Sequence, residues 1–123
     1  KCSLRQEFVI GGWSDPQGGR TGIGSLLVGF YEQGELRYAG RVGTGFDTQT
    51  LRMLKSTLKP LEQEDSPFAI SSPKGKDIHW VKPIQVCEVT FANWTKELIL
   101  RTPVFKGLRE DKKPKDIGME KAK

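Results

Sequence analysis

Apolar side chains recur at every second position in three short stretches near the start of the chain. Residues 7–14, 23–32 and 35–43 are rich in β-branched and aromatic residues, and they are separated by glycine-rich or polar turns. A period of two is typical of strands that bury one face. The pattern therefore predicts three consecutive β-strands.

The third stretch predicts a strand with one apolar and one basic face. Leu36, Tyr38 and Val42 occupy alternate positions and would form the apolar face. Arg37 and Arg41 would share the opposite face, on either side of a small residue. Two guanidinium groups on one face would suit a polyanion. A solvated outer face of a barrel explains the same pattern equally well.

Beyond residue 46 the apolar spacing lengthens. Leucines recur at spacings of three, four and three between positions 51 and 61, which is the pattern of one apolar stripe on a helix. Asp47 can cap the first turn, and Pro60 marks the end. We predict one helix over residues 47–59.

The second half of the chain predicts two further strands after a polar loop. The loop spans residues 60–77, and the strands span residues 80–95 and 97–105, with Pro103 indicating an edge or a bulge. Three strands, a helix and two strands match the five-stranded oligonucleotide/oligosaccharide-binding barrel, or OB-fold. The expected fold class is therefore all-β with one helix, which lies between strands 3 and 4.

Length and composition are those of one globular domain. The chain has 123 residues, of which 36% are apolar and 28% charged. No apolar run approaches the roughly 18 residues of a spanning helix, so we expect no membrane contact and a cytoplasmic location. Cys2 and Cys87 lie far apart, without cysteine or histidine at ligand spacing. We expect reduced thiols and no metal site.

The net charge of +5 is concentrated at the C-terminal end. Residues 1–95 carry 11 − 10 = +1, whereas residues 96–123 carry 9 − 5 = +4. Apolar content almost vanishes at the very end, so we predict a domain over residues 1–112 and a basic, disordered tail over residues 113–123. The basic segment before the tail has apolar neighbours, which indicates a defined place in the fold.

Common enzymatic motifs are missing. The glycine-rich and lysine-rich loops match neither a dinucleotide-binding loop nor a Walker loop, and paired carboxylates are not evident. The single histidine, His79, lacks a nucleophile partner and is interpreted as structural. Aromatic side chains in the strands could stack on bases, but core packing explains them more simply. These aromatic residues are Trp13, Tyr31, Tyr38, Trp80 and Trp94.

Six ordered segments resemble one known family. They are EFVIGGW, LRYAGRVGTGF, SPF, WVKP, EVTFANWT and GLREDKKP. In this order they resemble the C-terminal barrel domain of the bacterial ATP-dependent DNA ligases that act in non-homologous end joining. The resemblance covers nearly the whole chain, from residue 1 to about residue 116.

The resemblance implies a catalytic role for the basic segment. The family's final nucleotidyltransferase motif, RxDK, is matched by Arg109, Asp111 and Lys112. Lys1 matches the second lysine of the preceding Lys-x-Lys motif. The resemblance implies that Lys1 and Lys106 lie near the nucleotide. We expect these cations to stabilise charge on the departing pyrophosphate.

The family's nucleophilic lysine is not matched. It belongs to a Lys-x-Asp-Gly motif, and residues 115–118 have their aspartate one position early. We therefore expect this fragment to be inactive alone. The resemblance implies ATP and a divalent metal, Mg²⁺ or Mn²⁺, as cofactors of the full-length enzyme, with none bound by this domain alone.

The resemblance also implies partners. They are double-stranded DNA, the ligase adenylation domain upstream in the same chain, and Ku with other end-joining proteins on the bacterial nucleoid. Candidate DNA contacts are Arg20, Arg37, Arg41 and Lys113. Two alternatives are a non-catalytic module that binds single-stranded nucleic acid and a protein-docking domain.

Overall fold

The computed structural model describes residues 4–16, 22–110 and 112–118. The first three strands are β1 (Leu4–Ser14), β2 (Ser25–Glu32) and β3 (Glu35–Val42). They are followed by helix α1 (Thr48–Leu58), the two-residue strand β4 (Glu62–Gln63), the long strand β5 (Ile78–Phe91) and strand β6 (Val104–Leu108). The helices of the described residues include none long and apolar enough to cross a membrane.

All strand pairs are antiparallel, and the sheet runs in the order β3-β2-β1-β5-β4, with β6 also paired to β5. Backbone hydrogen bonds join β3 and the residues just after it to the chain segment that leads into β6. Leu100 N–H donates to Ala39 at 2.8 Å and Phe105 N–H donates to Thr44 at 2.9 Å. The five longer strands thus form a curled half-barrel with the helix after the third strand. The predicted fold class is confirmed.

The helix forms where the leucine spacing predicts it. The Asp47 carboxylate accepts a hydrogen bond from Thr50 N–H at 2.7 Å, which caps the first turn. Leu51, Leu54 and Leu58 are the buried residues of α1. A short 3₁₀ turn that contains Pro60 follows the helix.

The last strand begins later than predicted. Leu98 and Thr102 have φ values of +63° and +47°, and this left-handed backbone is incompatible with a continuous strand. Pro103 follows and has no N–H to donate to a ladder. The predicted strand over residues 97–105 is therefore replaced by turns up to Pro103, and β6 spans Val104–Leu108.

A bulge changes the predicted faces of β3. Arg37 pairs with Phe30 and Arg41 pairs with Leu27, and the register shifts in between. Directly paired residues share a face, and residues 27 and 30 of β2 point to opposite faces because they are three positions apart. The prediction that Arg37 and Arg41 share a face is therefore wrong.

Several large aromatic side chains of the core pack together on one face of the curled sheet. Phe8 and Phe30 both pack edge-to-face against Trp94, with ring centroids 5.9 Å and 5.8 Å away. We call this the core face; the opposite face, which carries Glu7 and Val9, is the outer face. Burial of large apolar side chains supplies most of the stability of such a domain. The largest fully buried side chains include Trp13, Phe8, Phe30, Phe91, Ile10 and Leu26.

Part of the outer face is covered by residues 66–70, which we call the Phe68 loop. Ala69 N–H donates to the Leu36 carbonyl at 2.9 Å, so the loop follows the edge of β3. The Phe68 ring lies over Gly11 and Gly29, where a methyl group would overlap the ring. Glycine is needed at both positions because of this close approach.

Candidate functional site

The chain segment after β6 is attached to the sheet at both ends. Arg109 N–H donates to the Val86 carbonyl at 2.7 Å, and Tyr31 N–H donates to the Ile117 carbonyl at 2.7 Å. Ile117 is only 6% exposed and belongs to the core. We call residues 109–118 the C-terminal strap; all of it except Asp111 is described. The strap therefore presents its central residues from two fixed points.

The strap extends the folded part of the chain. Pro114–Asp116 form a 3₁₀ turn, and Gly118 forms a bridge to Tyr31. The fold thus reaches residue 118, past the predicted boundary at residue 112, because Ile117 supplies an apolar anchor. Residues 119–123 of the predicted tail lie outside the described residues.

In the described part of the chain, the carboxylates of Glu7 and Glu88 lie close to Arg109. Its Nη1 lies 3.2 Å from Oε2 of Glu7 and 3.8 Å from Oε1 of Glu88. The Arg109 side chain is 32% exposed. It is therefore neither locked in the core nor a freely solvated surface group.

The two carboxylates face each other across neighbouring strands. Glu7 of β1 pairs directly with Glu88 of β5. Like charges in this position repel, so cations must compensate them. Arg109 is one such cation, and Arg5 is another, with its Nε 2.6 Å from Oε2 of Glu88. The result is a cluster of two acids and two arginines on the outer face.

Three lysines that the sequence predicted as site residues lie within four positions of Arg109 in the chain, and all three are exposed. Lys112 and Lys113 lie on the strap, and Lys106 is the unpaired residue of a bulge in β6. An arginine fork and flexible ammonium groups at an exposed site can bind phosphate oxygens. The remaining candidates Lys1, Arg20 and Asp111 lie outside the described residues.

The two arginines of β3 have different surroundings. Arg37 Nη1 lies 3.0 Å from Oε1 of Glu32, and its side chain is partly buried. Arg41 is exposed and lies beside Tyr38. Burial raises the pKa of the Tyr38 hydroxyl, while the nearby Arg41 charge opposes that shift. These two candidates therefore lie on opposite faces of the sheet and have different neighbours.

His79 has two carboxylate partners. Its Nε2 lies 2.7 Å from Asp15 and its Nδ1 lies 2.8 Å from Glu62, while its ring stacks on Trp13 at 4.8 Å. The hydrogen bond from His79 holds the pKa of Glu62 below its ordinary value. These contacts fit the predicted structural role of His79. Among the described residues, no group of three or more His, Cys, Asp or Glu side chains could hold a metal ion.

Aromatic packing is consistent with the core interpretation. Trp13 is fully buried, and Trp94 packs against Phe8, Phe30 and Phe91. Because it is fully buried, Trp13 cannot offer a face to a base, while Trp94 is partly buried among three core phenylalanines.

The sequence interpretation missed Glu7 and Glu88. Both are acidic residues inside otherwise apolar strand segments, and that contrast is the signal that could have identified them. Their position opposite each other depends on the register between β1 and β5. Sequence spacing alone does not supply that register.

The model of the family described as ATP dependent DNA ligase C terminal region matches residues 19–112. The chain belongs to this family. The resemblance to the C-terminal domain of end-joining DNA ligases is thereby confirmed.

Curated relatives of this ligase region are much longer than the chain. The multifunctional non-homologous end joining protein LigD of Pseudomonas aeruginosa is 45% identical over 126 residues, which cover 98% of this chain and 15% of that protein. The multifunctional non-homologous end joining DNA repair protein LigD of Mycobacterium tuberculosis is 48% identical over 118 residues, covering 94% and 16%. The chain thus spans about a sixth of each relative.

Solved structures of the ligase family agree with the fold. The ligase domain of Mycobacterium tuberculosis LigD matches with a TM-score of 0.90 at 45% identity, covering 98% of this chain and 40% of that one. A mycobacterial DNA ligase D complexed with ATP and MES matches with a TM-score of 0.85 at 44% identity, covering 98% and 39%. The half-barrel is therefore the fold of this ligase domain.

Proposed function

We propose that this domain supplies Arg109, with Asp111 and Lys112, to the phosphates of ATP while a lysine of the preceding adenylation domain is adenylated. The observation that supports this role most directly is the strap. The strap is fixed to Val86 at one end and to Tyr31 at the other. It carries Arg109 and Lys112 at or near the surface. Cations held in advance near reacting phosphates cost little reorganisation during the reaction.

The chemistry accounts for the residue types. When the lysine attacks the α-phosphorus, negative charge grows on the departing pyrophosphate. Arg109 offers a planar set of donors, and Lys112 offers a compact charge. We propose that Asp111 orients one of them. Lys106 and Lys1 would extend the positive field around the nucleotide.

The full-length enzyme would use ATP with Mg²⁺ or Mn²⁺, since a divalent cation neutralises phosphate charge in such transfers. The nucleophilic lysine would come from the upstream adenylation domain. This domain alone would therefore not form the lysine–AMP intermediate. We assign no residue of this chain to the metal.

The role predicts a step-specific defect in the full-length ligase. We expect Arg109→Ala to slow lysine adenylation by about 10²- to 10³-fold, as for other lost transition-state donors. Sealing of a pre-adenylated nick should suffer much less. Formation of labelled lysine–AMP and single-turnover nick sealing measure the two steps.

A matched control is Arg52→Ala, which removes an exposed arginine from α1. It should leave both steps unchanged. Equal loss of both steps in Arg109→Ala, or loss of neither, would contradict the assigned role.

We propose double-stranded DNA as the second partner. Arg41, Arg20 and Lys113 are candidate phosphate contacts. Arg37 lies beside Glu32 on the face opposite to Arg41, so it would contact phosphates only if the DNA bound that opposite face. We also propose Ku and other end-joining proteins as partners. The proposed location is the bacterial cytoplasm, at the nucleoid. The full burial of Trp13 and the packing of the partly buried Trp94 against the core give little support to a single-strand stacking module.

A further inference from the structure

We propose that Glu7 and Glu88, which we call the carboxylate pair, position the Arg109 guanidinium for its contact with the phosphates of ATP. This inference rests on the function proposed above. It assigns the carboxylates to the domain's own machinery, as residues that act through Arg109.

The burial of the carboxylate pair is the first argument. The side chains of Glu7 and Glu88 are 21% and 20% exposed, so water screens their mutual repulsion incompletely. A second facing pair, Glu32 and Glu35 at the β2–β3 turn, is exposed to water. The partly buried pair therefore depends more on its cations than the exposed pair does.

The direction of the contacts is the second argument. Arg5 Nε binds Oε2 of Glu88 at 2.6 Å, while the other oxygen, Oε1, lies 3.8 Å from Arg109 Nη1. Oε2 of Glu7 approaches the same Nη1 at 3.2 Å. One nitrogen of Arg109 thus donates a hydrogen bond to Glu7 of β1 and lies within ion-pair distance of Glu88 of β5, which restricts the orientation of the guanidinium plane.

The backbone supplies the third argument. Arg109 follows β6 directly, and its N–H is bonded to the Val86 carbonyl. Main chain and side chain are both attached to β5. An arginine held in this way loses less conformational freedom when it binds a phosphate than a freely rotating arginine would.

The test uses the full-length ligase with Glu7→Gln, which keeps the size of the side chain and removes its charge. We expect lysine adenylation to slow about 10-fold, a loss typical of removing a group that orients a functional side chain. Sealing of a pre-adenylated nick should change less than about twofold, since this assay bypasses the adenylation step. Glu35→Gln removes an exposed strand glutamate and should leave both rates unchanged.

A double-mutant cycle separates positioning from a general structural effect. In the Arg109→Ala background, Glu7→Gln should cause no further slowing of adenylation, because its effect passes through Arg109. A further loss of about 10-fold there would overturn the proposal. So would an increased adenylation rate in Glu7→Gln, which would mean that the carboxylate competes with ATP.

The two proposals fail in different ways. If Arg109→Ala slows adenylation and Glu7→Gln does not, positioning by the carboxylate pair is wrong and the proposed function stands. If Arg109→Ala leaves adenylation unchanged, the proposed function is wrong and the positioning role is rejected with it. A thermal unfolding scan of each variant shows whether a rate loss reflects unfolding.

Discussion

The Phe68 loop and the C-terminal strap both pack against the sheet without extending it as a full strand, yet they are held by different forces. The loop inserts an aromatic ring over two glycines, where it contacts Tyr38 at 5.3 Å and Trp80 at 6.1 Å between ring centroids. The strap has one apolar anchor, Ile117, and an arginine held by carboxylates. Apolar burial suits a fixed cover, whereas ion pairs near the surface leave cations accessible to a ligand.

The largest effect on stability is expected at the Phe68 loop. Phe68→Ala should lower the free energy of unfolding by about 3–5 kcal/mol, because it removes a buried ring and leaves a cavity over Gly11 and Gly29. Urea unfolding of the full-length ligase, followed through this domain, measures the change. Ile84→Ala, at an exposed apolar residue, is the control.

If the two segments have separate tasks, lysine adenylation per folded Phe68→Ala molecule should be unchanged within about twofold. A tenfold loss of adenylation per folded Phe68→Ala molecule, with nick sealing unchanged, would show that the Phe68 loop also contributes to activity.

A smaller loss of stability with a larger loss of activity is expected at the strap. Ile117→Ala should cost about 2 kcal/mol, at the low end for buried isoleucine, because Ile117 packs at the end of the chain segment. Its adenylation rate per folded molecule should nevertheless fall, since Arg109 and Lys112 would be presented from one fixed end instead of two. Urea unfolding and lysine–AMP formation are measured on the same sample.

Met53→Ala removes an exposed apolar side chain and serves as the control for Ile117→Ala. An Ile117→Ala ligase that is destabilised but adenylates at the normal rate would show that the second anchor has no part in activity.

The contribution of the Glu62–His79 contact to thermal stability should depend on pH. The hydrogen bond from His79 keeps the pKa of Glu62 below the ordinary glutamate value of about 4.3. Because the folded-state pKa is lowered, this stabilisation is present above the ordinary value and is lost as pH falls through the folded-state pKa. The difference in Tm between the natural protein and Glu62→Gln should therefore be largest near neutral pH and shrink under acid conditions.

Glu64→Gln removes a neighbouring exposed carboxylate and controls for net charge in that titration. A difference in Tm that stays constant from neutral pH down through the glutamate range would show that the His79 contact does not contribute to stability.

The smallest effect concerns DNA. If Arg41 contacts one phosphate, Arg41→Ala should reduce the slope of log affinity against log salt by about 0.9. Arg37→Ala should leave the slope unchanged, since Arg37 is bonded to Glu32 on the opposite face. Titration of a nicked duplex at several salt concentrations measures both. The reverse result would place the DNA on the other face.

Local sequence patterns predicted most of the elements. The leucine spacing and Asp47 predicted α1 within one residue at each end, because a helix and its cap are set by neighbouring residues. The start of β6 was missed, because the left-handed residues Leu98 and Thr102 have no reliable signature in side-chain periodicity. The faces of Arg37 and Arg41 were missed because one bulge reverses the alternation.

The sequence by itself determined most of the strand and helix order and the ligase family, since these depend on residues that are close together or on ordered segments. The tertiary structure alone decided that Glu7 and Glu88 meet at Arg109 and that Ile117 anchors the strap. The physical reason is strand register. Contacts between distant segments depend on bulges and pairings along the whole sheet, and a shift of one residue would turn either carboxylate away from the arginine.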